Sequence, residues 1–217
     1  MERRHGLILA LDVESGERAL EVCAQVAEHV DAVKVGYPLV LSSGISLIRR
    51  LAEQLPVIAD FKVADVPHVC AAIARIARDA GASYIIAHGF TGYESVRACA
   101  EVLPVFVVAD MSHAGAEEFI TPVSDSIARR CLSIATGIVA PATRLESLRR
   151  LRGIAGEKVI ISPGVGAQGA EPGSAIRAGA DYEIVGRAIY CAAEPGEAAA
   201  RIAELTAAAL AERGREA

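Results

Sequence analysis

Short apolar runs rich in Val, Ile, Leu and Ala alternate eight times with stretches of helical periodicity along this sequence. Few folds accept such a chain. Each run must be covered on both faces, and helices that return the chain to the next strand do this in a parallel sheet. The strands are expected at residues 7–12, 32–36, 57–62, 84–88, 105–110, 137–140, 158–162 and 182–185. Helices are expected at 15–29, with Ser15 as cap, and at 38–54, 67–80, 94–102 and 145–152. A looser helical region covers 116–133, a short helix lies near 172–178, and a closing helix runs over 197–212. The charged segment 212–217 is expected to fray. Eight such units predict an α/β protein, a single (β/α)8 TIM barrel forming one catalytic domain over residues 1–217. A doubly wound open sheet is the alternative. The even spacing, with no insertion between units, favours closure.

The composition fits this expectation. The chain of 217 residues is 53% hydrophobic, yet only 4% aromatic and without Trp, so its core must be built from small and branched aliphatic residues. A net charge of −5 gives no electrostatic basis for binding nucleic acid or an anionic membrane. The apolar run that begins at Leu7 ends at Asp12, too short for a signal peptide, and no other run approaches the length of a membrane span. Five scattered cysteines without a C-x-x-C pair suit reduced thiols in a cytoplasmic protein.

In a barrel of this type the site lies at the carboxyl ends of the strands. The residues expected there are unusually polar: Asp12, Lys34, Asp60, Lys62, His88, and Asp110 followed by Ser112. Alternation along a strand places Asp60 and Lys62 on one face and Phe61 on the other. Asp65 follows in the loop, close enough to join them. Buried charges are costly unless paired, so one such pair reads equally well as a structural ion pair. A network of lysines and aspartates from adjacent strands favours chemistry. After the seventh strand comes Ser162-Pro163-Gly164-Val165-Gly166-Ala167-Gln168-Gly169, and after the eighth Val185-Gly186-Arg187. Loops at these two places commonly hold phosphate, through backbone amides and a bidentate arginine. The implied ligand is a phosphorylated small molecule.

Lys62 between acidic neighbours is expected to stay protonated, as a proton donor and not a Schiff-base nucleophile. Asp60 beside it would repel a substrate carboxylate. Together they suit a reaction in which carbon dioxide leaves and the carbon is then protonated. His88 and His113, near the mouth, are expected to pack or hydrogen-bond and not to bind metal with Asp60. No residue series has metal-ligand spacing, and no Ser/His/Asp arrangement or reactive cysteine stands out.

These residues resemble the orotidine 5′-phosphate decarboxylase family, most closely its compact archaeal-type form. The resemblance runs from about Leu7 to the final helix. It is carried by Leu9-Ala10-Leu11-Asp12, Val33-Lys34-Val35-Gly36-Tyr37-Pro38-Leu39, the stretch from Asp60 to Pro67, Met111-Ser112-His113, the Ser162 to Gly169 loop and Val185-Gly186-Arg187. The resemblance implies a homodimer with shared active sites, no metal and no organic cofactor, acting on orotidine 5′-monophosphate in pyrimidine biosynthesis. It implies that Lys62 protonates C6 of the pyrimidine, that Asp60 sits against the departing carboxylate, and that Asp65 comes from the partner subunit. It further implies that Lys34 completes the charged array and touches the ribose, and that Asp12 binds ribose hydroxyls. Ser112 would meet the pyrimidine edge. Gln168, on a closing loop, would link phosphate and base, and Pro163, Gly164, Gly166, Gly186 and Arg187 would surround the substrate and its phosphate.

Two positions depart from the family's pattern. Val69 stands where a small polar residue is expected to reach the ribose across the dimer, and Ala114 replaces a proline. Two alternatives remain beside the decarboxylase. One is the magnesium-dependent relatives, 3-keto-L-gulonate 6-phosphate decarboxylase and hexulose-phosphate synthase. They carry a glutamate where this chain has Lys34, and a lysine there disfavours a divalent ion. The other is a non-catalytic phosphate-binding barrel, which the intact set Lys34, Asp60, Lys62 and Asp65 argues against.

Overall fold

A computed structural model describes residues 1–216. Eight parallel strands alternate with helices: β1 (Leu7–Leu11), α1 (Gly16–Val26), β2 (Ala32–Gly36), α2 (Tyr37–Ser43), α3 (Leu47–Ala52), β3 (Val57–Val63), α4 (Pro67–Asp79), β4 (Tyr84–His88), α5 (Tyr93–Ala100) and β5 (Val105–Val108). There follow α6 (Ala116–Phe119), α7 (Ser124–Cys131), β6 (Gly137–Val139), α8 (Leu145–Ala155), β7 (Val159–Val165), α9 (Ser174–Arg177), β8 (Tyr182–Val185), α10 (Arg187–Tyr190) and α11 (Pro195–Glu216). Each strand pairs with the next, and β8 closes on β1 with Leu7 opposite Glu183 and Leu9 opposite Val185. The sheet is a closed barrel and not an open doubly wound one.

Period two along the strands sorts the side chains into two cores. Leu7, Leu9 and Leu11 of β1, with Val33 and Val35 of β2, point outward to the helices. Ile8, Ala10, Ile58, Ile86, Phe106, Val108, Val139, Ile161 and Ile184 point inward and fill the barrel. The inward rows end, at the carboxyl side, in the polar residues of the site. The opposite end is sealed by carboxylates that have no part in the mouth. Asp31 accepts from the backbone amides of Arg4, His5, Gly6 and Leu7. Asp181 ion-pairs with Arg3, Arg152 and Arg213.

Several boundaries differ from the sequence expectation, each for a local reason. The helix expected over 38–54 is two, because Gly44 takes a φ of 80° and ends α2. The loose region 116–133 is α6, a 3-10 turn at Thr121–Val123, and α7; Pro122, lacking an amide hydrogen, sits in the turn. β5 stops at Val108, short of Asp110, whose carboxylate bonds elsewhere. The four-residue α10 is not foreseen by periodicity, which needs longer windows. The tail is not frayed as expected: α11 continues to Glu216, Glu212 lies 2.7 Å from Arg177, and Arg213 reaches Asp181 at 3.1 Å. Ala217 lies outside the described residues.

Candidate active site

At the carboxyl ends of the strands the barrel opens into a cavity of about 270 Å³. Ala10, Ile86, Val108, Val139 and Ile184, the last apolar residues of their inward rows, line its apolar depth. One side carries charge. The Asp60 carboxylate on β3 lies between two ammonium groups, with Lys34 Nζ 2.9 Å from Oδ2 and Lys62 Nζ 2.9 Å from Oδ1. Lys34, on β2, also meets Asp12 Oδ1 at 3.4 Å. The parallel register dictates this meeting, since Ala10 lies opposite Lys34 and Gly36 opposite Asp60.

Lys34 and Asp60 are buried, whereas the Lys62 side chain is 40% exposed and faces the cavity. Burial acts to lower the pKa of Lys34, but the charges of Asp60 and Asp12 outweigh it and hold the amine above its ordinary value. Burial acts to raise Asp60, yet the two lysines outweigh that and hold its carboxyl below the usual range. Desolvation is thus opposed from both sides, and the Asp60–Lys34 pair keeps its charges at neutral pH.

Lys62 reaches Asp60 by a backbone irregularity, not by plain alternation. Ala59 pairs with Ile85 but Val63 pairs with Ala87, so residues 60–62 of β3 bulge opposite the single residue Ile86 of β4. Lys62 has a φ of 38°, the one non-glycine residue with positive φ among those described. That conformation costs a non-glycine residue roughly 1–2 kcal/mol and needs support from its surroundings.

The next wall is Met111-Ser112. Ser112 lines the cavity on a loop pinned by Asp110, whose buried carboxylate accepts from the Met111 amide at 2.9 Å, Thr121 Oγ1 at 2.7 Å and Ser147 Oγ at 2.8 Å. Arg144 holds the same loop through the His113 carbonyl at 3.0 Å. Asp110 is therefore an anchor for the loop and stands apart from the lysine array.

Opposite the charges, β7 and β8 and the segments that follow them supply Pro163, Gly164, Gln168, Gly186 and Arg187 to the lining. Gly164 and Gly166 take φ values of 108° and 77°, which glycine alone adopts freely. The turn is closed by the Gly166 amide on the Ala170 carbonyl at 2.8 Å and the Gly169 amide on the Gly166 carbonyl at 2.9 Å. Gly166 itself lies in the turn, outside the lining. Arg187 is exposed and makes no ion pair among the described residues, so its guanidinium is available to an anion.

Ten of the twelve expected site residues thus line one cavity, and Gly166 and Asp65 do not. The expectation that Asp65 joins the Asp60–Lys62 pair of its own chain is corrected. Its exposed carboxylate accepts from the Val66 amide at 2.7 Å, which turns it out of the cavity. His88 is packed, with its ring centroid 4.7 Å from that of Phe90 and its buried Nδ1 unpartnered. Burial, reinforced by the charge of Lys62, pushes its pKa down to about 4, so it is neutral in the working range. His113 is exposed. No group of three or more His, Cys, Asp or Glu side chains among the described residues is placed to hold a metal. Sequence reasoning missed the apolar depth and the anchoring by Asp110, Thr121, Ser147 and Arg144. The former was legible in the inward rows; the latter depends on loops meeting in space.

Fold and mouth together are those of a (β/α)8-barrel enzyme with an acid–base charge array at its carboxyl face. Residues 5–202 match the model of the orotidine 5′-phosphate decarboxylase / HUMPS family. The chain is 52% identical over 211 residues to an orotidine 5′-phosphate decarboxylase of Methanosarcina acetivorans, covering 94% of this chain and 96% of the relative. It is 47% identical over 202 residues to that of Thermococcus kodakarensis, covering 91% and 95%. Among solved structures, the Methanocaldococcus jannaschii orotidine 5′-monophosphate decarboxylase complexed with the inhibitor BMP superposes with a TM-score of 0.89 at 41% identity, covering 94% of this chain and 99% of that one. The Pyrococcus horikoshii enzyme gives 0.88 at 44% identity, covering 93% and 99%. The chain belongs to the orotidine 5′-phosphate decarboxylase / HUMPS family.

Proposed function

We propose that this protein decarboxylates orotidine 5′-monophosphate to uridine 5′-monophosphate and carbon dioxide, a step of pyrimidine biosynthesis. The observation that carries the chemistry is the Asp60 carboxylate held between Lys34 and Lys62 at the edge of the cavity. The phosphate binds Arg187 and the backbone of Gly164 and Gly186, with Pro163 beside it, and Gly166 shapes the turn after β7. Gln168 links phosphate to base, Asp12 and Lys34 take the ribose hydroxyls, and Ser112 meets the pyrimidine edge. This binding energy, remote from the reacting carbon, presses the substrate carboxylate against Asp60. The bond from C6 to the carboxyl carbon breaks and its electron pair stays on C6. Lys62 Nζ then donates a proton to form the C6–H bond, and the resulting amine is reprotonated from solvent. The apolar depth excludes water from the reacting centre. The reaction calls for neither metal nor organic cofactor.

The chain acts as one catalytic domain in a homodimer with shared sites, in which Asp65 of the partner subunit completes the array. Two features support this: the outward Asp65 carboxylate, and the half-exposed Tyr37, Val66 and Phe90 on the segments that directly follow the adjacent strands β2, β3 and β4. The cytoplasm is its setting, consistent with five free cysteines, four of them buried. Among the described residues no helix is long and apolar enough to cross a membrane.

Arg187→Ala tests the phosphate site. Loss of one charge-assisted contact is expected to raise KM for orotidine 5′-monophosphate by about 10- to 100-fold, with a smaller effect on kcat. An unchanged KM would remove Arg187 from the phosphate site.

A further inference from the structure

The Gly36-Tyr37-Pro38 segment carries none of the chemistry described so far, and Tyr37 does not line the cavity. Its placement is nonetheless specific. β2 delivers Lys34 to Asp60, and three residues later, in the first turn of α2, delivers Tyr37 to Phe61. The Tyr37 hydroxyl donates to the Phe61 carbonyl. Its ring stacks on the Phe61 ring, with centroids 5.8 Å apart and planes 20° from parallel. The Phe61 carbonyl belongs to the peptide plane that joins Phe61 to Lys62, and rotation of that plane is the φ of Lys62. That φ is the strained one, 38°, inside the β3 bulge where ladder pairing with β4 is interrupted.

We infer that Tyr37 is a positioning residue for Lys62: its hydroxyl fixes the Phe61–Lys62 peptide plane, and so aims the lysine ammonium at Asp60 and the reacting carbon. Where the register with β4 shifts, the phenol is a fixed donor to this peptide. Burial and the nearby Asp60 charge both hold that phenol above its ordinary pKa, so the hydroxyl remains a donor. Because Tyr37 acts through Lys62 and not on the nucleotide, its loss should show in turnover and not in binding. The inference rests on Lys62 as the proton donor.

Tyr37→Phe keeps the stacked ring and removes only the hydroxyl. Only one oxygen is lost, so the fold and the proposed dimer should persist; circular dichroism, the mass of the assembly in solution and titration with uridine 5′-monophosphate check this. kcat for orotidine 5′-monophosphate is expected to fall by about tenfold or more, as misplacement of a reacting group does, while KM stays within about twofold. Phe61→Leu, which removes the stack but keeps the carbonyl, is expected to lose less. A smaller fall in kcat for folded Tyr37→Phe would overturn the inference, as would a KM change that accounts for the loss. So would an equal or larger loss in Phe61→Leu. Wild type and Lys62→Ala run in the same assay separate failure of the clamp from failure of the proposed reaction. An inactive wild type or an active Lys62→Ala would overturn the premise itself.

Discussion

Lys62→Ala is expected to lower kcat by roughly 10⁴-fold, the upper end of what a positioned general acid supplies. The reason is that nothing else in the cavity can take its place. Lys34 is buried and committed to Asp60 and Asp12. His88 is neutral, with its Nδ1 buried and its pKa near 4. His113 is exposed, outside the lining. The variant should fold, because Asp60 keeps its contact with Lys34 at 2.9 Å and is not left as an uncompensated buried charge. Nucleotide binding should persist, since Arg187 and the glycine turn follow β8 and β7, apart from the β3 that carries Lys62. The check is a single-turnover rate beside a titration with uridine 5′-monophosphate. Near-normal turnover would remove Lys62 as the acid.

The second large effect is a recovery. Asp65→Ala and Lys62→Ala homodimers should each be nearly inactive, yet mixing them should restore roughly a quarter of wild-type activity after random subunit exchange in a two-site dimer. A mixed dimer holds one doubly damaged site and one site with both residues intact, provided Asp65 acts across the interface. The structure motivates this test, because within its own chain the Asp65 carboxylate turns to the Val66 amide and away from the cavity. If Asp65 served its own subunit, both sites of the mixed dimer would stay broken. No recovery after exchange has been demonstrated, by mass or by fluorescence, would count against the shared site.

Much of this architecture is legible from patterns in the chain. Strands 32–36, 84–88 and 182–185 fall where their mainly apolar runs start and stop, and the two charged residues inside them are paired: Lys34 with Asp60, and Glu183 with the amides of Gly173 and Ala175. The turn after β7 is legible because glycine at Gly164 and Gly166 signals backbone that other residues avoid. Lys62 is instructive in another way. Alternation put it beside Asp60, and it is there, but by way of a bulge whose cause lies in the pairing of β3 with β4. Register between strands is not written in either strand alone. For the same reason the Asp110 anchor was out of reach: its partners Thr121 and Ser147 come from segments 11 and 37 residues away. Asp65 shows the opposite limit. Nearness in sequence suggested nearness to Lys62, and one turn of the loop reversed it.

Metal-independent decarboxylation can be measured by incubating the purified wild-type protein with orotidine 5′-monophosphate in the presence of a chelator, following the fall in ultraviolet absorbance and identifying the product. Conversion to uridine 5′-monophosphate is expected at a rate the chelator does not change. No conversion by folded protein, or conversion only on adding a divalent cation, would contradict it.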